Sequence, residues 1–140
     1  MNIRPFKPAD EAQVIALWQA CALTRPWNNP HRDIARKLTT QADWFLVGDL
    51  HGTVIASAMF GYDGHRGWVN YLAVSPSHQG CGYARALMVQ GEALLTRAGC
   101  PKLSLQIRTS NQEVIAFYQH LGYSTDDAVS MGKRLIADTP

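Results

Sequence analysis

Two hydrophobic periods alternate along the chain. After Pro8, the apolar positions Val14, Leu17, Trp18 and Cys21 recur every three or four residues behind the acidic pair Asp10 and Glu11, which predicts an amphipathic helix. Arg25-Pro26-Trp27-Asn28-Asn29-Pro30 interrupts that period with two prolines and two asparagines and reads as an ordered loop. Ile34 and Leu38, with charged residues between them, predict a short second helix. Three runs rich in branched and aromatic residues follow, Trp44–Leu50, Val54–Phe60 and Trp68–Val74. The turn His51-Gly52 and the glycine-rich segment Gly61-Tyr62-Asp63-Gly64-His65-Arg66-Gly67 separate them, so they predict an antiparallel meander.

The helical period then returns. Ala84, Leu87, Met88, Gly91, Leu94, Leu95 and Ala98 share one face, and Gly99 and Pro101 end the stripe. Leu103, Leu105 and Ile107 alternate with Ser104 and Gln106, a half-buried strand over Lys102–Arg108. Ser110-Asn111-Gln112-Glu113 fits a capping box for a helix carrying Val114, Phe117, Tyr118 and Leu121. Ala128–Ile136 predicts a last strand. The order is β-α-α-β-β-β-α-β-α-β. Because a strand–helix–strand crossover is right-handed and makes its strands parallel, the expected fold class is α+β. It has a mixed central β-sheet, an antiparallel meander plus one parallel β-α-β unit, flanked by helices in a single domain over residues 1–140.

Composition narrows the function classes. The chain has 140 residues, 46% of them hydrophobic, and a formal net charge of +2. The basic residues are scattered, so neither a nucleic-acid partner nor a membrane surface is expected. Three cysteines, Cys21, Cys81 and Cys100, form neither a disulfide framework nor a zinc pattern, and no metal is expected. No signal peptide and no apolar run of about 20 residues appears, which points to a reduced, cytoplasmic setting.

The chemistry concentrates at Gly80-Cys81-Gly82, between a strand and a helix start. Glycines admit close backbone approach, the first N–H groups of a helix have no partner inside it, and its dipole favours an anion. A phosphate or pyrophosphate fits there, and so does a plain tight turn. Tyr83-Ala84-Arg85 replaces the Gly-Lys-Ser/Thr of a P-loop. A dinucleotide fingerprint would need a third glycine at Arg85 and an acidic residue ending the next strand, and neither is present.

A third pattern fits. Val74-x-Pro76-x-x-Gln79-Gly80-x-Gly82-x-Ala84 resembles motif A (Q/R-x-x-G-x-G/A) of the Gcn5-related N-acetyltransferase (GNAT) superfamily. Asn111, Phe117-Tyr118 and Gly122-Tyr123 resemble its motif B. Within it, Arg25-Pro26-Trp27-Asn28-x-Pro30, the 61–67 loop and Gly132-Lys133-Arg134-Leu135-Ile136 are similar to the small bacterial YpeA-type acetyltransferases. The resemblance implies a transferase moving an acetyl group from acetyl-CoA to a primary amine, by direct transfer through a tetrahedral intermediate. It implies that the backbone of Leu72, Ala73 and Val74 holds the pantetheine arm, that Gln79, Gly80, Cys81, Gly82, Tyr83 and Ala84 hold the pyrophosphate, and that Arg85 adds charge. Asn111 and Phe117 would complete the cofactor site, and Tyr118 would be the general acid for the departing thiolate.

Each of these residues also has a structural reading: Asn111 as a helix N-cap, Tyr118 as core packing beside Phe117, Arg85 as a solvated helix residue. The family's usual carboxylate base on the strand before motif A is missing, since that strand reads Trp68-Val69-Asn70-Tyr71-Leu72. Water through Asn70 or Tyr71, or His65 or Asp63 in the glycine loop, would replace it. Trp27, Asn28, Asp63 and His65 are candidate acceptor contacts; Trp27 reads equally as a loop anchor and Asp63 as a turn residue. Cys81 as a nucleophile lacks a His–Asp partner pattern. A non-catalytic acetyl-CoA-binding sensor of the same fold is the alternative function. The acceptor, a small-molecule or protein amine, and the oligomeric state, a homodimer through the last strand included, stay open.

Overall fold

The expected periods assemble, in a computed structural model that describes residues 1–139, into a five-stranded sheet with helices on both faces. The strands are β1 (Asn2–Pro5), β2 (Phe45–Leu50), β3 (Thr53–Tyr62), β4 (Gly67–Val74) and β5 (Leu103–Ser104), in that spatial order. Pairing is antiparallel from β1 to β4 and parallel between β4 and β5. The helices are α1 (Glu11–Ala20), α2 (Pro30–Lys37), α3 (Tyr83–Arg97) and α4 (Gln112–His120). No helix among the described residues is long and apolar enough to cross a membrane.

Alternation along the strands divides the core in two. Phe45 and Val47 of β2 join Val14, Leu17 and Trp18 of α1 and Ile34 of α2 on one face. Leu46, Ala58, Phe60 and Val69 join Leu87, Met88 and Leu95 of α3 and Tyr118 of α4 on the other. Asn29 caps α2, its side chain accepting from the His31 and Arg32 N–H groups. The cap of α4 is Asn111, not Ser110: its side chain accepts from Val114 N–H, and with Val114 at the third helical position the expected capping box does not form.

Two expectations fail at the C-terminal edge. The strand predicted over Lys102–Arg108 pairs only at Leu103 and Ser104, although Leu105 and Ile107 still pack on the core. The strand predicted over Ala128–Ile136 does not form. Val129, Met131 and Leu135 are more than 85% exposed, at 88%, 92% and 86%. An alternating segment becomes a strand only where a neighbour offers a ladder, and β5 offers two residues. Polar contacts fix the tail instead. Asp138, its side chain only 1% exposed, takes two bonds from Arg36 and one from Asn29 N–H, while Arg134 reaches Asn28 and Arg32 reaches the Ala137 carbonyl.

Helix α3 approaches the sheet closely at Gly91, where a Cβ would fall inside the van der Waals envelope of the fully buried Phe60 ring. Gly91→Ala is therefore expected to destabilise the fold by about 1–3 kcal/mol despite its better helix propensity. Chemical denaturation checks this, and an unchanged midpoint would mean that α3 sits farther from the sheet.

Candidate functional site

The site begins where β4 leaves β5. After Gly67↔Leu103 and Trp68↔Ser104 the two parallel strands have no further pairs, so the C-terminal half of β4 faces a gap. The β3–β4 register shifts between Ser57/Ala73 and Met59/Asn70, which places two residues of β4, Tyr71 and Leu72, opposite Ala58: a β-bulge. Tyr71 has φ of +53°, a left-handed conformation that residues other than glycine rarely adopt. Three contacts hold it. Its ring stacks on Trp18 at 3.8 Å, its carbonyl accepts from Ser57 Oγ at 2.8 Å, and its hydroxyl donates to Asp33 Oδ2 at 2.6 Å. Ser57, fully buried, accepts in turn from Trp18 Nε1 at 2.9 Å. Burial, followed by the Asp33 hydrogen bond, raises the Tyr71 phenol well above its ordinary range.

The bulge sets which way the strand edge points. Ser75 N–H donates to Ile55 O on β3, and Ala73 pairs with Ser57. Strand groups alternate sides, so Leu72 and Val74 present theirs to the gap. Of the predicted trio, Ala73 is therefore committed to β3. The Val74 carbonyl is already taken by Gln79 Nε2 at 3.1 Å and Cys21 Sγ at 3.2 Å, which leaves the Val74 N–H and both Leu72 groups on the open edge.

Past β4 the chain makes a turn through Gly80 (φ +80°) and Gly82 (φ +83°) into α3. Both angles require glycine, and a Cβ at either position would meet nothing within 4 Å. The constraint is the backbone angle, and the space above the loop is open. The N–H groups of Gly80, Cys81 and Gly82 have no acceptor among the described residues, and Gly82 caps α3 without a side chain. Exposed N–H groups converge there with the positive end of a 15-residue helix, and Arg85 is exposed on its first turn. Tyr83 and Ala84 turn inward, packing with Leu72, Leu105, Ile107 and Phe117 on the core that contains Tyr118.

Tyr118 is buried edge-on to Phe117 and Tyr123, with ring centroids 5.1 and 5.6 Å away. Its hydroxyl has no hydrogen-bond partner among the described residues, yet no fully buried side-chain oxygen or nitrogen is left unpaired. The hydroxyl is therefore not fully buried, and Tyr118 lines a cleft of about 1430 Å³ between 103–110, α4 and the 122–130 segment. Burial raises this phenol too and keeps it protonated at neutral pH. Leu72–Val74 and the 79–85 loop lie outside the walls of that cleft. Asn111 spends its side-chain oxygen on the α4 cap and is otherwise exposed.

The other candidates lie apart. Asp63 accepts from His65 and Arg66 N–H at 2.8 and 2.7 Å, and these backbone bonds hold its carboxyl below the usual range: it is a turn residue. With exposed His65 it sits at the start of β4, roughly 20 Å of strand from Leu72. Asn70 is exposed and pairs with Met59 just before the bulge. Trp27 is 54% exposed rather than a core anchor, and Asn28 accepts from Arg134. Cys81 is exposed and touches only the Gln79 carbonyl, at 3.9 Å. Ser57, Asp33, Arg36 and Asp138 escaped the sequence reading. Only Ser57 carries a signal, a hydroxyl in the middle of an apolar strand.

The model of the acetyltransferase (GNAT) family matches residues 12–123. An acetyltransferase of Yersinia pestis (strain Pestoides F) is 48% identical over 138 residues, 99% of this chain and 98% of its own. An acetyltransferase of Pectobacterium atrosepticum has the same identity and coverage. Among solved structures, Ard1 from Thermoplasma volcanium superposes with a TM-score of 0.79 at 25% identity, covering 88% of this chain and 82% of that one.

The tail contact makes a pH prediction. The Arg36 guanidinium and then the Asn29 N–H hold the Asp138 carboxyl at about 2. A carboxylate depressed below its unfolded value of about 3.9 stabilises the fold above that pH and loses the contribution as protons bind towards the folded value. The difference in Tm between wild type and Asp138→Asn should stay constant down to about pH 5 and shrink between about pH 4 and pH 2. A difference that persists at pH 2 would place the effect elsewhere.

Proposed function

The chain belongs to the acetyltransferase (GNAT) family and is an acyltransferase, and from that premise we propose that it moves an acetyl group from acetyl-CoA to a primary amine. The observation that carries this reading is the strand edge: β4 leaves its parallel neighbour after two pairs, at a bulge, just before a glycine turn whose N–H groups lack acceptors. An extended chain carrying amides fits the open Leu72 and Val74 edge, as a pantetheine arm would, by completing the ladder. A pyrophosphate fits the N–H groups of Gly80, Cys81 and Gly82 and the first turn of α3, where Tyr83 and Ala84 lie and Arg85 adds positive charge. When bound, acetyl-CoA supplies an activated acyl group.

The residues of this chain then do three things. The Leu72 N–H, held by the bulge, stands ready to donate to a carbonyl oxygen as it gains charge. Tyr118, protonated and in the same core cluster on which Leu72 and Tyr83 pack, offers a hydrogen to the departing sulfur. A thiolate of ordinary pKa about 8.5 is a weaker base than this phenolate, so the hydroxyl acts mainly by hydrogen bonding. Asn111 and Phe117 hold Tyr118 in place through the α4 cap and the aromatic contact. The acceptor amine, on a small molecule or a protein, enters from the face carrying α1 and α2, past Trp27 and Asn28.

The test is acetyl-CoA-dependent thiol release with a panel of amines: amino acids, polyamines and peptides with free N-termini. Tyr118→Phe is expected to lower kcat by about 10- to 10²-fold, the size of one hydrogen bond to a charged group. Its Kd for acetyl-CoA, read by calorimetry, stays unchanged. An unaltered kcat would remove Tyr118 from the chemistry, and a raised Kd in its place would make it a packing residue.

A further inference from the structure

The Asp138 contact does not end at α2. Arg36 binds Asp138 through both terminal nitrogens, Nη2 to Oδ1 at 2.6 Å and Nη1 to Oδ2 at 3.2 Å, and the same Nη1 reaches Asp33 Oδ1 at 3.3 Å. The second oxygen of Asp33 is the acceptor for the Tyr71 hydroxyl at 2.6 Å. Tyr71 is the strained residue of the bulge, one residue before Leu72. Four side chains thus link the end of the chain to the strand edge, across separations of 102 and 38 residues. A second branch leaves Asp138 for the Asn29 N–H at 2.9 Å, and Arg134 holds Asn28. The loop carrying Trp27 and the edge carrying Leu72 therefore have one anchor in common.

We propose that Asp138 is a positioning residue for the acetyl-transfer site: through Arg36 and Asp33 it fixes the Tyr71 hydroxyl, and with it the bulge that presents the Leu72 N–H. The inference rests on the proposed acetyl-CoA site for its functional half only. Its physical basis is that a left-handed tyrosine persists only where its surroundings over-determine it. Trp18 and Ser57 hold the ring and the carbonyl. The hydroxyl depends on Asp33, whose other oxygen faces the guanidinium that Asp138 orients.

The experiment uses the full chain with Asp138→Asn, Tyr71→Phe and the pair, plus Asp138→Glu as the conservative variant, each checked for a cooperative melt. Amide hydrogen exchange is read over residues 70–74 and over 22–29, and the acetyl-CoA Kd by calorimetry. Asp138→Asn should speed exchange at 70–74 as well as at 22–29, and Asp138→Glu should restore part of the protection. Each single variant should weaken acetyl-CoA by about 3- to 10-fold, the size of one net hydrogen bond. The double variant should be no weaker than the poorer single, because both cut the same chain of contacts. Exchange at 70–74 that stays at the wild-type rate in Asp138→Asn would overturn the inference, and so would losses that multiply in the double variant. If the wild type does not bind acetyl-CoA, the proposed function fails, and the exchange data alone still decide whether Asp138 fixes the bulge.

Discussion

A bulky residue in left-handed backbone conformation costs about 1–2 kcal/mol, and Tyr71 stands in one within β4. The architecture around the gap depends on keeping it there. With the bulge, β4 shifts register, turns Leu72 and Val74 toward the gap and ends beside the glycine turn. Without it, the edge groups of β4 would alternate in the original phase, and Leu72 would face β3. Trp18 from α1, Ser57 from β3 and Asp33 from α2 converge on this one residue. The helices of one face thus serve the strand edge directly, and the helices of the other face bring the glycine turn and Tyr118.

Much of the fold was legible because its signals are local. The meander reads from three branched and aromatic runs with glycine-bearing turns between them, and it appears as β2, β3 and β4. The α3 stripe reads from its apolar period, including Gly91, whose missing side chain makes room for Phe60. The C-terminal edge was not legible. Leu103–Ile107 and Ala128–Ile136 both alternate as strands do, yet alternation reports only which residues share a face. Whether a ladder forms depends on the neighbour, and β5 parts from β4 after two residues. The tail is set by Asp138 and Arg134 meeting α2 and its loop, contacts more than 100 residues apart in sequence.

The site divides along the same line. Gly80 and Gly82 announce themselves, since a strand–glycine–helix junction needs positive φ, and both angles are positive. Tyr118 fits a sequence motif, and it lines a cleft. Of the supports of the bulge only Ser57 leaves a trace in sequence, a hydroxyl in an apolar strand; Asp33 and Arg36 look like ordinary charged positions of α2, and what they meet lies on other elements. The strand preceding the glycine turn lacks a carboxylate, but the fold carries Asp33 to that strand from α2, where it meets Tyr71. The spacing of residues along one strand could not have revealed it.

On the proposed function, the open edge of β4 and the glycine turn form one binding surface for acetyl-CoA. A calorimetric titration of wild type and Gly82→Val with acetyl-CoA tests it most directly. A Cβ at position 82 meets no neighbour within 4 Å, so the substitution acts on the backbone angle of the turn and the open space above it, not on the core. Saturable one-to-one binding by the wild type is expected, with its loss in a Gly82→Val protein that still melts cooperatively. Absence of binding by folded wild type, or undiminished binding by Gly82→Val, would contradict it.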